Sequence, residues 1–278
     1  MRATKRRPVV RLDADGGRRA RADTLAGEEP LEIRVAGVPY SITMRTPGAD
    51  FDLVAGFLVS EGLVWHAGQI VSIAYGAGVE PDGSRSYNLV EVRLAAGVAP
   101  PDPSLSRHVY TSSSCGICGT ASIEAVTRAS RFPPDGDGLR IRLPELLALT
   151  ERLRQGQQVF DSTGGVHAAG LFAVTADGRA DLACLREDVG RHNAVDKTVG
   201  WALREGSLPL SGTVLQVSGR ASFELVQKAY MAGIPALAAV SAPSALAVEL
   251  AAECGITLVG FSRGASVNVY AGEHRILT

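Results

Sequence analysis

Long apolar runs are missing from this sequence, and cysteine, lysine and aromatic residues are scarce. No stretch approaches the roughly 18–20 apolar residues that a membrane-spanning helix requires. No apolar segment follows the basic N-terminus, as it would in a secretory signal peptide. Four cysteines in 278 residues are too few for a disulfide scaffold. The sequence therefore predicts a cytoplasmic globular protein, without a membrane partner, whose thiols stay reduced.

Lysine occurs only three times, against 25 arginines. Lys197 and Lys228 are the two that lie in the body of the chain. Where composition favours arginine so strongly, a retained lysine indicates a specific need, such as a compact partner for phosphate or sulfur. The segments around both residues are therefore weak candidates for a site.

Positive charge is concentrated at the N-terminus. Residues 1–21 hold eight Lys/Arg and two Asp, a net charge of +6, whereas the remaining residues carry −7. A basic segment with little apolar surface is typical of disorder. We expect residues 1–29 to be a disordered tail, of which residues 1–24 are mobile and dispensable for stability. The composition of the tail gives only weak support for nucleic-acid binding.

Two of the four cysteines, Cys115 and Cys118, are separated by two residues in the segment TSSSCGICG at 111–119. Residues 120–129 have a helical pattern, so both cysteines are predicted on a loop that leads into a helix. The unpaired N–H groups at a helix N-terminus favour a thiolate over a thiol. Neighbouring glycines leave the sulfur atoms uncovered. We interpret the pair as exposed, reactive thiols.

Three other interpretations of this pair remain open. In the first, the pair is half of a zinc site, although no second pair of ligands completes it. In the second, the pair is a thioredoxin-like redox motif, although no strand of that pattern precedes it. In the third, both cysteines are ordinary small residues of the buried core. We take the other two cysteines, Cys184 and Cys254, as core residues.

The pattern of apolar residues predicts an α/β fold in two parts. A hairpin around Ala36-Gly37, a helix over 50–62 and strands at 71–74 and 90–94 form a small α+β domain at residues 30–106. A helix over 144–155 follows in the second part. From residue 166 strands and helices alternate, which predicts an α/β domain over 107–278 with parallel strands and helices on both faces.

Polar residues gather where predicted strands end. The segment at 186–197 runs from a strand into a helix, at the edge where α/β sheets bind ligands. Loops at 218–222 and 261–266 also follow strands, and the first opens a helix of the kind that binds anions. Together with the lysines, these loops predict a large anionic ligand such as a nucleotide. His167, after a glycine-rich turn, fits a core position and a site position equally well.

The chain resembles the formate dehydrogenase accessory sulfurtransferases, the FdhD family, over residues 30–278. The motifs that carry the resemblance are RTPG at 45–48, SCGICG at 114–119, TGGVHAA at 163–169, REDVGRHNAVDK at 186–197, SGRASFE at 218–224, VSAPS at 240–244 and LVGFSRG at 258–264. Several long motifs in the same order make the resemblance specific.

The resemblance implies a homodimeric sulfur carrier with a cytidine deaminase-like fold. Such a protein takes sulfur from a cysteine desulfurase as a persulfide on Cys115, assisted by Cys118. It passes the sulfur to molybdenum bis(molybdopterin guanine dinucleotide), which formate dehydrogenase requires and of which GDP is a mimic. The contacts expected with this substrate are Phe261, Ser262, Arg263, Gly264, Ala265, Ser266, His192, Lys197, Ser218 and Arg220.

Two rival functions follow from the same observations. A zinc deaminase of that fold would need an H-x-E motif and a proline before the CxxC pair. The chain lacks the first and has Ser114 in place of the second, so we expect no metal. The other rival is a chaperone that holds the cofactor while a different protein delivers sulfur.

Overall fold

The computed structural model describes residues 2–78, 86–101, 126 and 130–278. Within these ranges the chain forms a mixed α/β structure with four sheets and six α-helices. Cys115, Cys118 and the helix predicted at 120–129 lie outside the described residues, apart from the helical Val126. No helix in the described ranges is long and apolar enough to cross a membrane.

The basic N-terminal segment is a β-hairpin, so the prediction of a disordered tail was wrong. Strands β1 (Thr4–Leu12) and β2 (Arg18–Ala26) pair antiparallel through nine registered residue pairs. A hydrogen-bonded turn joins the two strands. Asp13 and Gly17 are joined by a backbone hydrogen bond of 2.9 Å, and the Asp15 carboxylate accepts from the Gly17 N–H. Such Asp/Gly chemistry specifies a tight turn. Whether the segment is dispensable stays a prediction.

A four-stranded sheet follows the hairpin. Its strands are β3 (Glu29–Val35), β4 (Val38–Arg45), β5 (Ile70–Tyr75) and β6 (Leu89–Leu94), in the order β4-β3-β6-β5, and helix α1 (Asp50–Ser60) follows β4. The predicted hairpin around Ala36 and Gly37 is confirmed, with φ angles of 52° and 82°. Both values are left-handed, as a two-residue hairpin turn with the twist of its strands requires.

The larger sheet has six strands in the order β13-β12-β11-β10-β8-β9. They are β8 (His167–Val174), β9 (Ala180–Asp188), β10 (Thr213–Val217), β11 (Ala236–Ala239), β12 (Thr257–Arg263) and β13 (Ser266–Ala271). Only β10, β11 and β12 are parallel, whereas the other three strands pair antiparallel. The prediction of parallel strands therefore holds for the centre alone, because β8–β9 and β12–β13 are connected as tight hairpins.

The remaining helices cover both faces of this sheet. They are α2 (Leu143–Gln155), α3 (Gln158–Thr163), α4 (Arg191–Arg204), α5 (Phe223–Met231) and α6 (Ala245–Glu253), and the short strands β7 (Ile141–Arg142) and β14 (Ile276–Leu277) pair nearby. Successive strand residues contribute to opposite apolar clusters: Leu171 joins the cluster with α4 and α5, whereas Phe172 joins the one with α2. This alternation is the period of two expected for a strand buried on both faces.

Helices α1 and α4 lie unusually close together because glycine stands at their contact. A Cβ atom on Gly56 would lie 1.8 Å from the carbonyl oxygen of Asp196, and one on Gly200 would lie 1.8 Å from that of Asp52. Any larger residue would therefore force the helices apart. This contact places the elements before the predicted boundary at residue 106 in one apolar core with those after it.

The RTPG motif at 45–48 joins the two sheets. Arg45 is fully buried, and its guanidinium donates to both carboxylate oxygens of Asp50 at 3.2 and 3.0 Å and to the carbonyl of Glu29 at 3.2 Å. The next residue, Thr46, donates its N–H to the Asp188 carboxylate at 3.0 Å and accepts from the Val189 N–H at 3.0 Å. The motif thus fixes the end of β9, where α4 begins.

We predict that Arg45→Ala destabilises the protein strongly, because it leaves the buried Asp50 carboxylate without its charged partner. Removing one member of a buried ion pair costs about 3–5 kcal/mol. Arg34→Ala is a matched control, since Arg34 pairs with Glu32 at a partly exposed position and an exposed pair contributes about 1 kcal/mol or less. Urea unfolding of both variants measures the difference, and similar losses would contradict this assignment.

Candidate functional site

Three loops lie side by side at the carboxyl ends of the parallel strands. The Ser241 N–H donates to the Gly219 carbonyl at 3.2 Å, and the Phe261 N–H donates to the Ser241 carbonyl at 3.3 Å. The loops that follow β10 and β11 and the end of β12 are therefore tied to one another through their backbones. The structure brings the predicted segments at 218–222 and 261–266 to one edge, with the loop at 241–244 between them.

His167 lies at the same edge, because β8 runs antiparallel to β10 and begins where β10 ends. The Ala168 N–H donates to the Ser218 hydroxyl at 2.9 Å, and the Ser218 N–H donates to the Ala168 carbonyl at 3.0 Å. A Cβ atom on Gly219 would lie 3.5 Å from the His167 ring. His167 is half-buried. The sequence left its position open, and the structure places it at the site rather than in the core.

The first turns of α4 and α5 meet at this edge. His192 Nε2 lies 2.7 Å from Glu224 Oε2, and each is the second residue of its helix. The contact is an ion pair when the imidazole is protonated. The pKa of Glu224 is lowered chiefly by His192, and the charges of Arg191 and Lys228 act in the same direction. Glu224 was not among the predicted site residues.

Lys197 was predicted to contact the ligand, whereas the structure places it in a buried ion pair. The residue is 2% exposed, and its Nζ lies 2.7 Å from Asp188 Oδ2. It also donates to the carbonyls of Thr46 at 2.8 Å and Glu187 at 3.4 Å. An ammonium group has three donors, so these protein oxygens satisfy all of them. Lys197 therefore positions neighbouring residues and has no donor left for an anion.

Lys228, on α5, also pairs with a buried carboxylate. Its ammonium lies 2.8 Å from each carboxylate oxygen of Asp196, whose Oδ1 also accepts from Ser60 at 2.7 Å. The retained lysines thus answer a specific need, as their scarcity suggested, but the partners are buried carboxylates. A compact ammonium suits these closed positions better than a planar guanidinium.

The segment at 261–266 forms the end of the β12–β13 hairpin, and its residues divide into two groups. Ser262 is fully buried, with its Oγ 3.3 Å from Thr150 Oγ1 and 3.4 Å from Gln216 Oε1, so its side chain faces the core. The others are half-buried or exposed: Phe261, Arg263, Gly264, Ala265 and Ser266.

Phe261 adopts a φ angle of 51°, which is rare for a bulky residue. Such backbone strain is tolerated where the surroundings impose it, often at functional sites. The Arg263 guanidinium lies 5.9 Å from the centre of the Phe261 ring. The structure therefore presents an aromatic face and a cation together on an open hairpin.

Cys184 and Cys254 are core residues, as predicted. They are 5% and 2% exposed, and burial raises the pKa of Cys184 to about 11 and that of Cys254 to about 12. Within the described ranges no group of His, Cys, Asp and Glu is arranged to hold a metal ion. Cys115 and Cys118 lie outside those ranges.

Comparison with known proteins decides the family. A model of the FdhD/NarQ family matches residues 26–277. The chain belongs to the FdhD/NarQ family. The resemblance stated from the sequence motifs is therefore confirmed.

Relatives within the family match almost the whole chain. A protein of Streptomyces avermitilis named sulfur carrier protein FdhD is 64% identical over 277 residues, which cover 99% of this chain and 96% of the relative. The protein of the same name from Streptomyces coelicolor is 61% identical, with the same coverage of both chains. These matches extend into the N-terminal hairpin, which lies mostly before the region of the family model.

A solved structure agrees with the fold. The crystal structure of a formate dehydrogenase accessory protein from Desulfotalea psychrophila has a TM-score of 0.73 and 25% sequence identity. It covers 99% of this chain and 100% of its own. The mixed α/β arrangement is therefore shared across nearly the full length.

We predict that the two buried thiols resist alkylation in the native protein while Cys115 and Cys118 react. A thiol with a pKa of about 11, as at Cys184, is ionised in only about one molecule in ten thousand at pH 7. Iodoacetamide treatment at pH 7 followed by peptide mass spectrometry measures all four sites, and unfolding in urea should expose Cys184 and Cys254. Native labelling of either residue at a rate similar to Cys115 would contradict the prediction.

Proposed function

We propose that this protein is a sulfurtransferase that carries sulfur as a persulfide on Cys115 and delivers it to molybdenum bis(molybdopterin guanine dinucleotide) for formate dehydrogenase. One observation carries the proposal: the SCGICG motif at 114–119 lies within a near full-length match to relatives named sulfur carrier protein FdhD. The accessory-protein description of the Desulfotalea structure supports the link to formate dehydrogenase.

The loading step is a thiol exchange. The Cys115 thiolate attacks the terminal sulfur of a persulfide on a cysteine desulfurase, and the desulfurase cysteine leaves as a thiolate. A new S–S bond replaces the old one, so no net oxidation occurs. The adduct persists until an acceptor is bound. Cys118 then either shuttles the terminal sulfur or attacks Cys115 Sγ and expels that sulfur as hydrosulfide, which leaves a disulfide that a thiol reductant must reopen. A thiolate of lowered pKa favours loading.

We predict that Cys115, and not Cys118, holds the stable adduct. Incubation with a cysteine desulfurase and cysteine should add the mass of one sulfur atom to the wild type and to Cys118→Ala, but not to Cys115→Ala. Cys184→Ala is a matched control because Cys184 is buried, and its loading should equal that of the wild type. Intact-protein and peptide mass spectrometry locate the adduct, and an adduct confined to Cys118 would reverse the assignment.

The substrate is proposed to bind at the edge formed by the loops at 218–222 and 261–266. Small residues on the β12–β13 hairpin support this proposal. Gly264 has a φ angle of 67°. Among the described residues, no atom apart from its chain neighbours lies within 4 Å of the point that a Cβ would occupy there, so a ligand can approach its backbone. Phe261 offers a face for stacking on guanine, and Arg263 offers a planar fork to phosphate. Ser218, Arg220 and His192 lie along the same edge, whereas Lys197 and Ser262 support it from below.

We predict that Arg263→Ala weakens GDP binding by about ten-fold or more, because a hydrogen bond to a charged group contributes about 1.5–3 kcal/mol. Arg179→Ala is a matched control, since Arg179 is also exposed on a hairpin turn but lies at the opposite end of β8 and β9. Calorimetric titration of GDP compares the three proteins. Equal affinities would remove Arg263 from the site, and a wild type that does not bind GDP would exclude a guanine pocket.

The rival functions give different outcomes. A chaperone without sulfur transfer would bind the cofactor in the Cys115→Ala variant and support its sulfuration as well as the wild type does. A deaminase-like enzyme would purify with zinc, which elemental analysis detects. A cytidine deaminase-like sheet and a homodimer remain part of the proposal. Two copies would supply the two nucleotide pockets that a bis-dinucleotide needs.

A further inference from the structure

The N-terminal hairpin leaves most of its surface uncovered. Strands β1 and β2 pair over nine residues, a length of about 30 Å. At its base the hairpin packs on the body of the protein, where the Ala26 Cβ lies 3.4 Å from the position that a Cβ on Gly165 would occupy. Between Lys5 and Ala22 the strand residues are exposed, apart from the half-buried Val9. A two-stranded hairpin alone is only marginally stable in water, so a surface that covers it would stabilise it.

One face of this hairpin carries an apolar strip. Residues directly opposite each other in an antiparallel pair share a face, and alternate residues along each strand do so as well. By this register the apolar strip consists of Pro8, Val10, Leu12, Ala20 and Ala22, all of them exposed. Val10 is 48% exposed and Leu12 72%. Ala26 lies on the same face, so the strip continues into solvent the face that packs on the body at the base.

Two arginines bound the apolar strip. Arg6 and Arg18 lie on the same face, at its two ends, and both are exposed. Neither has a carboxylate partner among the described residues. On the opposite face, by contrast, Arg11 and Arg19 contact Asp13 at 3.1 and 3.2 Å. The strip with its two unpaired cations fits a surface that is both apolar and acidic. A polypeptide surface offers both properties, whereas the phosphate backbone of a nucleic acid offers only charge.

Helix α6 presents such a surface. Ala245, Glu249, Ala252 and Glu253 are exposed and fall on one face of the helix. The two glutamates are four residues apart and have no cationic partner among the described residues, a like-charge spacing that destabilises a helix. Glu253 also lies in the last turn, which contains no basic residue and where the helix dipole disfavours a carboxylate. Cations bound to this face would relieve both effects.

We propose that the N-terminal hairpin of one copy of this chain docks on the exposed face of α6 of a second copy. The apolar strip then covers the alanines of that face, and Arg6 and Arg18 approach its two glutamates. The strip from Pro8 to Leu12 and helix α6 are each about 14 Å long, so the two surfaces match in length. The proposal rests on the homodimer of the proposed function and names the surfaces that form it.

The charge of the chain favours a second copy as the occupant. Residues 1–21 carry +6 and the remaining residues −7, so the hairpin of one copy attracts the body of another. The whole chain has a net charge of only −1, so two copies do not repel each other strongly. Each copy brings one hairpin and one α6, and two identical contacts can therefore close around a two-fold axis. Removal of the hairpin can thus leave the fold intact and still abolish the dimer.

Sedimentation equilibrium of the full chain measures the dissociation constant of the dimer. We expect the double variant Arg6→Glu/Arg18→Glu to raise it about ten-fold or more, because each substitution occurs at both contacts and replaces an attraction with a repulsion. Glu249→Arg/Glu253→Arg should weaken the dimer for the same reason. All four substitutions in one chain exchange the charges and should restore most of the affinity. Such restoration distinguishes a direct contact from damage to the fold.

Two further variants test the strip and the specificity of the charge effect. Val10→Asp places a carboxylate in the apolar strip and should also weaken the dimer. Glu205→Arg is a matched control, because Glu205 is exposed at the end of α4 and lies outside both surfaces. Its dissociation constant should equal that of the wild type. Circular dichroism checks that every variant is folded.

An unchanged dissociation constant in Arg6→Glu/Arg18→Glu would overturn the proposal, as would a chain with all four substitutions that stays as weak as the double variants. A wild type that remains monomeric would overturn it too. Sulfur loading of Cys115 by a desulfurase separates these outcomes from a failure of the proposed function. A monomeric wild type that accepts sulfur would remove the docking contact and keep the sulfur-carrier function. A charge-dependent dimer that accepts no sulfur would support the contact and count against that function.

Discussion

The candidate site depends on the contacts that the buried Asp188 carboxylate makes. Its Oδ2 accepts from the Thr46 N–H at 3.0 Å and lies 2.7 Å from the Lys197 ammonium, while its Oδ1 accepts from the Gly190 N–H at 2.8 Å and from Asn193 at 3.1 Å. A buried charge is tolerated only when its oxygens are satisfied in this way. Because the partners come from three segments, this one group fixes the end of β9, the turn before α1 and the start of α4 relative to one another.

The close packing of α1 on α4 extends this arrangement. Glycines at positions 56 and 200 let the two helices approach within backbone contact, and the paired Asp196 and Lys228 connect α4 to α5. The starts of α4 and α5 are therefore placed by buried contacts rather than by surface loops.

The two lysines in the body of the chain, Lys197 and Lys228, both serve buried ion pairs. Lysine is used inside, where a compact ammonium meets one buried carboxylate and a few carbonyl oxygens. Arginine occurs both inside, as at the fully buried Arg45, and at the candidate site, where Arg220 and Arg263 are exposed. A guanidinium fork matches phosphate oxygens, so the exposed arginines suit the proposed nucleotide substrate. The scarcity of lysine was therefore informative, although the need it indicated was structural.

Much of the local structure followed from the sequence by itself. Alternating apolar residues, glycines at turns and helix ends, and Pro144 in the first turn of α2 specified most strands and helices, because these signals act between neighbours in the chain. The SCGICG motif and the order of the other motifs also indicated the family. The N-terminal hairpin was missed because charge composition outweighed the Asp/Gly turn at 13–17 in the prediction.

Only the tertiary structure decided which polar residues are available to a ligand. Lys197 and Ser262 belong to motifs shared with the site, yet both are buried against partners that lie more than a hundred positions away in the chain, Thr46 and Thr150. Conversely, His167, Arg191 and Glu224 come together because β8 runs antiparallel to β10 and two helix starts meet. Pairing of distant segments sets such neighbourhoods, and no local sequence pattern encodes it.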